Sequence, residues 1–145
     1  MFIKMKKAGI VVFLLLVGMV YAGSAPEIIQ KEFELRFPGA TDVSWERENP
    51  KGWIAEFIWN DRNVHVNYSF SGQWVETQTQ IQLSELPKAV LETMESFYPD
   101  WKIVLTNKIE NTKPDLLFKV AIQKDSKIQE IVLKEDGTLV AVGIE

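Results

Sequence analysis

The sequence predicts an α+β domain built from two tandem copies of one unit, a helix followed by antiparallel strands. Three observations predict it. First, Pro26-Glu27-Ile28-Ile29 is echoed by Pro87-Lys88-Ala89-Val90, and Phe37-Pro38 by Tyr98-Pro99, each 61 residues further on. Second, Ile29, Phe33 and Phe37 match Val90, Met94 and Tyr98 at the same offset. The i, i+4, i+8 spacing is one stripe of an amphipathic helix. Third, apolar and polar residues alternate with period two after each stripe, the mark of strands with one face buried. Self-similarity at a fixed spacing points to a repeated supersecondary unit.

Each helix is bounded by proline. Pro26 and Pro87 stand where a missing N–H costs nothing. Pro38 and Pro99 disfavour the α conformation in Phe37 and Tyr98 and so stop the helices. A short strand is expected around Val43–Glu46. In the next, Trp53, Ala55, Phe57 and Trp59 alternate with Ile54, Glu56 and Ile58. In the one after, Val64, Val66, Tyr68 and Phe70 alternate with His65, Asn67 and Ser69. Asn60-Asp61-Arg62-Asn63 joins this pair as a hairpin, and Ser71-Gly72 turns into a last strand at Gln73–Glu76. The second copy repeats the pattern. A strand over Ile103–Glu110 comes first. Leu116, Phe118, Val120 and Ile122 then alternate with Leu117, Lys119, Ala121 and Gln123. Ile131 and Leu133 alternate with Glu130, Val132 and Lys134, and Asp136-Gly137 leads into Thr138–Val142. Repeat one is thus 26–76 and repeat two 86–143. Thr77–Glu85 connects them, its first half continuing the preceding strand. One such unit is small for burying its helix stripe alone. The two are expected to share one sheet with both helices on one side.

The N-terminus is unlike the rest. Lys4, Lys6 and Lys7 precede an uncharged run from Ala8 to Val20, and small residues follow at Ala22, Gly23, Ser24 and Ala25. This is the order of a secretory signal, and the run is short for a membrane span of about 20 residues. Val20 and Ala22 suit the −3 and −1 positions. Residues 1–22 are therefore read as a cleaved leader and 23–145 as the mature domain, periplasmic or secreted, with no stable membrane insertion after cleavage. Without Lys4, Lys6 and Lys7, thirteen basic residues stand against twenty acidic ones, a net charge of −7. Such a surface repels phosphate backbones and disfavours nucleic-acid partners.

The pattern Pro26–Ile29, Phe37-Pro38-Gly39-Ala40, Val43, Trp45-Glu46, Trp53–Phe57, Val64–Tyr68 and Gly72-Gln73-Trp74 resembles the PepSY-like family described as beta-lactamase-inhibitor-like. The second copy carries it through Leu86–Val90, Tyr98-Pro99, Ile109-Glu110, Phe118–Val120 and Asp136–Leu139. The resemblance covers roughly 26–143. It implies an exported bacterial protein with paired helical segments against an antiparallel sheet, as in the beta-lactamase inhibitor protein. It also implies a role in binding or restraining hydrolases, peptidases above all. No inhibitory residue carries over, because no target-contacting motif matches residue by residue.

Chemistry is sparse. The chain has no cysteine, which excludes disulfides, thiolate metal sites and cysteine nucleophiles. The single histidine, His65, has no motif partners for a metal site or a catalytic triad and reads as a solvent-facing strand residue. No phosphate-cradling glycine loop or GxSxG is present. No catalytic residue, metal ligand or cofactor is assigned, and the chain is read as a non-enzyme. The expected function is binding a protein or peptide of the cell envelope, an envelope hydrolase included. A small-ligand or envelope-stress sensing domain is the alternative. If the helices cover Phe57, Val66, Phe118 and their alternates, the other face carries Ile54, Glu56, Ile58, His65, Asn67, Leu117 and Lys119. That face is the expected binding surface. Trp59 and Trp74, near strand ends, are the second candidates, since tryptophan is enriched at binding hot spots.

Overall fold

A computed structural model describes residues 20–144. The expected leader lies outside the described residues except for its last three. These form a short strand, β1 (Val20–Ala22), on which the expected cleavage point falls. The chain divides into two compact units that meet at Thr77/Gln78.

In the first unit, helix α1 (Glu27–Arg36) follows Pro26, whose carbonyl accepts from the N–H groups of Ile29 and Gln30. It closes where the Phe37 N–H donates to the Phe33 carbonyl at 2.8 Å, one residue before Pro38. Strands β2 (Thr41–Glu48), β3 (Gly52–Trp59) and β4 (Arg62–Tyr68) then run antiparallel, each paired to the next, and β1 pairs with the end of β2 at Glu46–Glu48. The register sets Ala55 opposite Trp45 and Val66, and Phe57 opposite Val64. That is the face the helix covers. Ile29, Phe33 and Phe37 pack with Ala55, Phe57, Val64, Val66 and Tyr68 into one buried cluster, rimmed by Trp45, Trp53, Trp59 and Trp74. Strand β5 (Trp74–Gln80) runs on through the polar connector, and a single 3-10 turn (Leu83–Glu85) follows it.

The second unit repeats the order. Helix α2 (Lys88–Phe97) ends where the Tyr98 N–H donates to the Met94 carbonyl, again one residue before proline. Strands β6 (Lys102–Asn111), β7 (Leu117–Lys124), β8 (Lys127–Lys134) and β9 (Leu139–Ile144) are antiparallel, each paired to the next. Val90 and Met94 pack on Phe118, Val120, Ile122, Ile131 and Leu133. The expected elements are all present, and the first strand after each helix is longer than its apolar core suggested. Thr41 and Lys102 join through backbone pairing, opposite Ile58 and Gln123, which a hydrophobic pattern does not register.

Candidate binding surfaces

The helix-free side of the first unit is a lattice of cross-strand rows. Glu46, Ile54 and Asn67 form one, and Ser44, Glu56 and His65 the next. Thr41, Ile58 and Asn63 form the third. Ile54, Glu56, Ile58, His65 and Asn67 do share this side of the first unit, but it is less open than alternation implied. Ile54 is 4% exposed, and Glu56, Ile58 and Asn67 are half-buried. In the second unit Lys119 is 9% exposed and Leu117 half-buried. The expectation of a solvent-facing surface is corrected at Ile54 and Lys119. Each lies in an inner strand between neighbours that extend alongside it: Glu46 and Asn67 for Ile54, Asn107 and Val132 for Lys119. Alternation says which side a residue points to; lateral neighbours decide how much water reaches it.

His65 is likewise corrected from a solvent-facing residue to one largely covered. Its Nδ1 lies 4.0 Å from Oε1 of Glu56, and the two side chains are 14% and 27% exposed. Burial raises the Glu56 carboxyl above its ordinary range, and the Glu46 carboxylate adds to that rise. Asn67 Oδ1 is buried with no hydrogen-bond donor among the described residues. In the second unit Lys119 Nζ stands 3.7 Å from Glu130 Oε2.

Trp59 and Trp74 both belong to the rim of the first core. The Trp59 indole N–H donates to the Pro38 carbonyl at 3.0 Å, and its ring meets Phe37 edge-on. The Trp74 indole N–H donates to Thr77 Oγ1 at 2.9 Å, and the Arg36 guanidinium lies 4.7 Å from its ring centroid. Each already has its polar handle engaged within the unit.

Periodicity did not reveal a groove between α1 and β2. Its volume is about 300 Å³. Phe33, Phe37 and Trp45 form its apolar lining, Gln30 and Glu34 its polar edge, and Val43, 39% exposed, its outer wall. Phe33 and Trp45 meet edge-on with centroids 5.2 Å apart. The register of β2 slips between Thr41 and Ser44, where Asp42 takes φ +53°. A bulge bends its strand, and this one lies next to Val43. The only sequence signal is the small, turn-prone run Gly39-Ala40-Thr41-Asp42.

Among the described residues no group of three His, Asp or Glu side chains is placed to hold a metal ion, and no helix is long and apolar enough to cross a membrane. No family model matches the sequence, and no curated protein matches it. Solved structures do. A "putative periplasmic" protein from Bacteroides eggerthii DSM 20697 superposes with a TM-score of 0.77 at 19% identity, over 84% of this chain and 90% of its own. A DUF2874 family protein from Bacteroides uniformis ATCC 8492 gives 0.75 at 20%, over 83% and 90%. A BLIP-like protein from Bacteroides fragilis NCTC 9343 gives 0.71 at 25%, over 84% and 87%. The chain therefore has the α+β fold, antiparallel strands with two helices, of these DUF2874 and BLIP-like structures.

Proposed function

We propose that this chain is an exported, non-enzymatic binding module of the cell envelope that holds a segment of a partner protein or peptide, with an envelope hydrolase as the leading partner class. Export rests on the Lys4–Ala22 pattern. Its two units are read as diverged tandem copies of a PepSY-like repeat that share one sheet with both helices on one side. The common order of helix and strands supports that reading, and so does the likeness to a BLIP-like protein.

The observation that carries the binding reading is the α1–β2 groove. Aromatic side chains form its floor, and the polar groups around them supply most of its exposed surface, a composition suited to a partly polar segment. The half-covered face around Glu56, Ile58, His65 and Asn67 is the second surface. A small-ligand sensing role is the alternative, favoured by the groove's size, which lies at the low end of ligand pockets.

Photo-crosslinking tests the proposal. A benzophenone side chain at Val43, in cells expressing the full chain, should trap one discrete envelope protein. The same group at Leu35, exposed on α1 outside the groove, should not. Equal adducts from both positions, or none from Val43, would sink the protein-partner reading. Protection of Val43 by a small molecule would favour the alternative.

A further inference from the structure

Strand β9 is composed wholly of uncharged residues, Leu139-Val140-Ala141-Val142-Gly143-Ile144. It pairs with β8 on one side and ends the strand order, so its other edge has no strand partner among the described residues. Leu139 stands opposite Leu133, and Val142 opposite Ile131. Those β8 partners are fully buried under α2. Leu139, Val140 and Val142 are themselves 41%, 48% and 44% exposed. An apolar strip continuous with the core thus runs out to an open edge.

Proteins ordinarily guard such edges with charge, proline or a covering element. Strand β2 carries Asp42, Glu46, Arg47 and Glu48, whereas β9 has no charge or proline, and its one irregularity is a bulge at Val140, two residues before Val142. The contrast with β5 is sharper. Each strand follows the glycine turn of its unit, yet the polar β5 buries Thr77 and Gln78 while the apolar β9 is left in water. Helix α2 adds to the strip. Ala89, Thr93 and Phe97 lie on one i, i+4, i+8 stripe, and the Thr93 hydroxyl is 2.9 Å from the carbonyl of Gly137, in the turn that feeds β9. Phe97, at the end of that stripe, is 71% exposed.

We propose that β9 pairs antiparallel with β9 of a second copy of this chain, about a two-fold axis at Val142. The sequence of the strand selects this occupant, because it is close to a palindrome about that residue. In this register Val142, on the side of its buried partner Ile131, opposes its own copy, and Val140 stands opposite position 144. Ala141 opposes Gly143, so the small residues meet on the other side. No charged residue of the strand is brought opposite a like charge, which matters between two copies of an acidic chain. The contact is isologous and closed.

The test uses the full chain expressed with its own leader. Its mass in solution should double between about 1 and about 100 µM. Val142→Lys, which sets two ammonium groups face to face on the axis, should hold it monomeric with its thermal midpoint nearly unchanged. Because a lysine there could also disturb the unit, Val142→Cys provides a second readout. The chain has no other cysteine, so mild oxidation should give a covalent dimer at least about tenfold faster than for Leu35→Cys on exposed α1, since a pre-formed contact raises the effective concentration. A monomer at every concentration overturns the proposal. So does a dimer that Val142→Lys leaves intact and in which Val142→Cys crosslinks no faster than the control.

Discussion

The ring of Phe57 meets that of Phe33 edge-on, with centroids 4.8 Å apart and planes at 88°. This contact fixes α1 over the centre of β3. Phe118, the residue 61 positions later, is buried with Val90 and Met94 in the second unit. Truncating a buried phenylalanine costs about 3–5 kcal/mol. That is comparable to the whole margin of a small domain.

Phe57→Asp is therefore expected to unfold its unit, and Phe118→Asp the other. Ile58, next to Phe57 but on the helix-free side, is half-buried, so Ile58→Asp should lower stability only by about 1–2 kcal/mol. Urea denaturation followed by tryptophan fluorescence separates these cases. An unfolded Ile58→Asp beside a folded Phe57→Asp would mean that the faces are assigned backwards.

Glu56 gives a pH prediction. Its carboxyl is raised above the ordinary value by burial and then by Glu46. A carboxyl that is harder to ionise in the folded than in the unfolded chain contributes stability below the unfolded pKa. That contribution is lost as pH rises through the folded one. At neutral pH the ionised Glu56 is thus a cost. Glu56→Gln should raise the thermal midpoint at pH 7 and change it little well below the ordinary glutamate pKa. A midpoint that falls at pH 7 would show that the carboxylate's interactions outweigh its burial.

How much of this was legible depends on which force sets each feature. The helices were, because Ile29, Phe33 and Phe37 form one buried stripe and Pro38 ends it. The face of each strand residue was too: Phe57, Val66 and Phe118 lie in the cores as the alternation required. The openness of the other face was not, because Glu46 and Asn67 come beside Ile54 only once the strands are in register. The indole bonds of Trp59 to Pro38 and of Trp74 to Thr77 could not be read either, since a side chain's hydrogen-bond partner is set by tertiary approach. The groove beside Val43 comes with a bulge, a backbone event with no periodic signature.

Tyr68 predicts alkaline behaviour. It is fully buried, and its phenol is pushed far above the ordinary tyrosine value by burial and then by the Glu32 carboxylate. In the unfolded chain it ionises near pH 10. Above that pH the unfolded state loses a proton that the folded state keeps, so stability falls as pH rises. Tyr68→Phe should remove this component: its denaturation midpoint should decline less steeply than that of the parent chain between about pH 9.5 and 11. Parallel slopes would show that Tyr68 is not the group responsible.

Gly137 sits where backbone conformation and close approach act together. Its φ is +85°, and a Cβ built there would lie 2.6 Å from the Ala89 carbonyl oxygen and 2.7 Å from Thr93 Oγ1. The hydroxyl of Thr93 meanwhile bonds the Gly137 carbonyl. Gly39 shares the backbone strain, at φ +79°, but nothing lies within 4 Å of its would-be Cβ. Gly39→Ala should therefore report the left-handed penalty alone, about 1–2 kcal/mol. Gly137→Ala should cost clearly more, because the methyl group meets helix backbone and cannot be accommodated by rotating one side chain. Adding Thr93→Ser should recover little of the loss: the hydroxyl can swing away, whereas the Ala89 carbonyl is fixed in the α2 ladder. Equal losses for Gly39→Ala and Gly137→Ala would mean that α2 does not approach the β8–β9 turn this closely. Full recovery by Thr93→Ser would place the contact on the side chain alone.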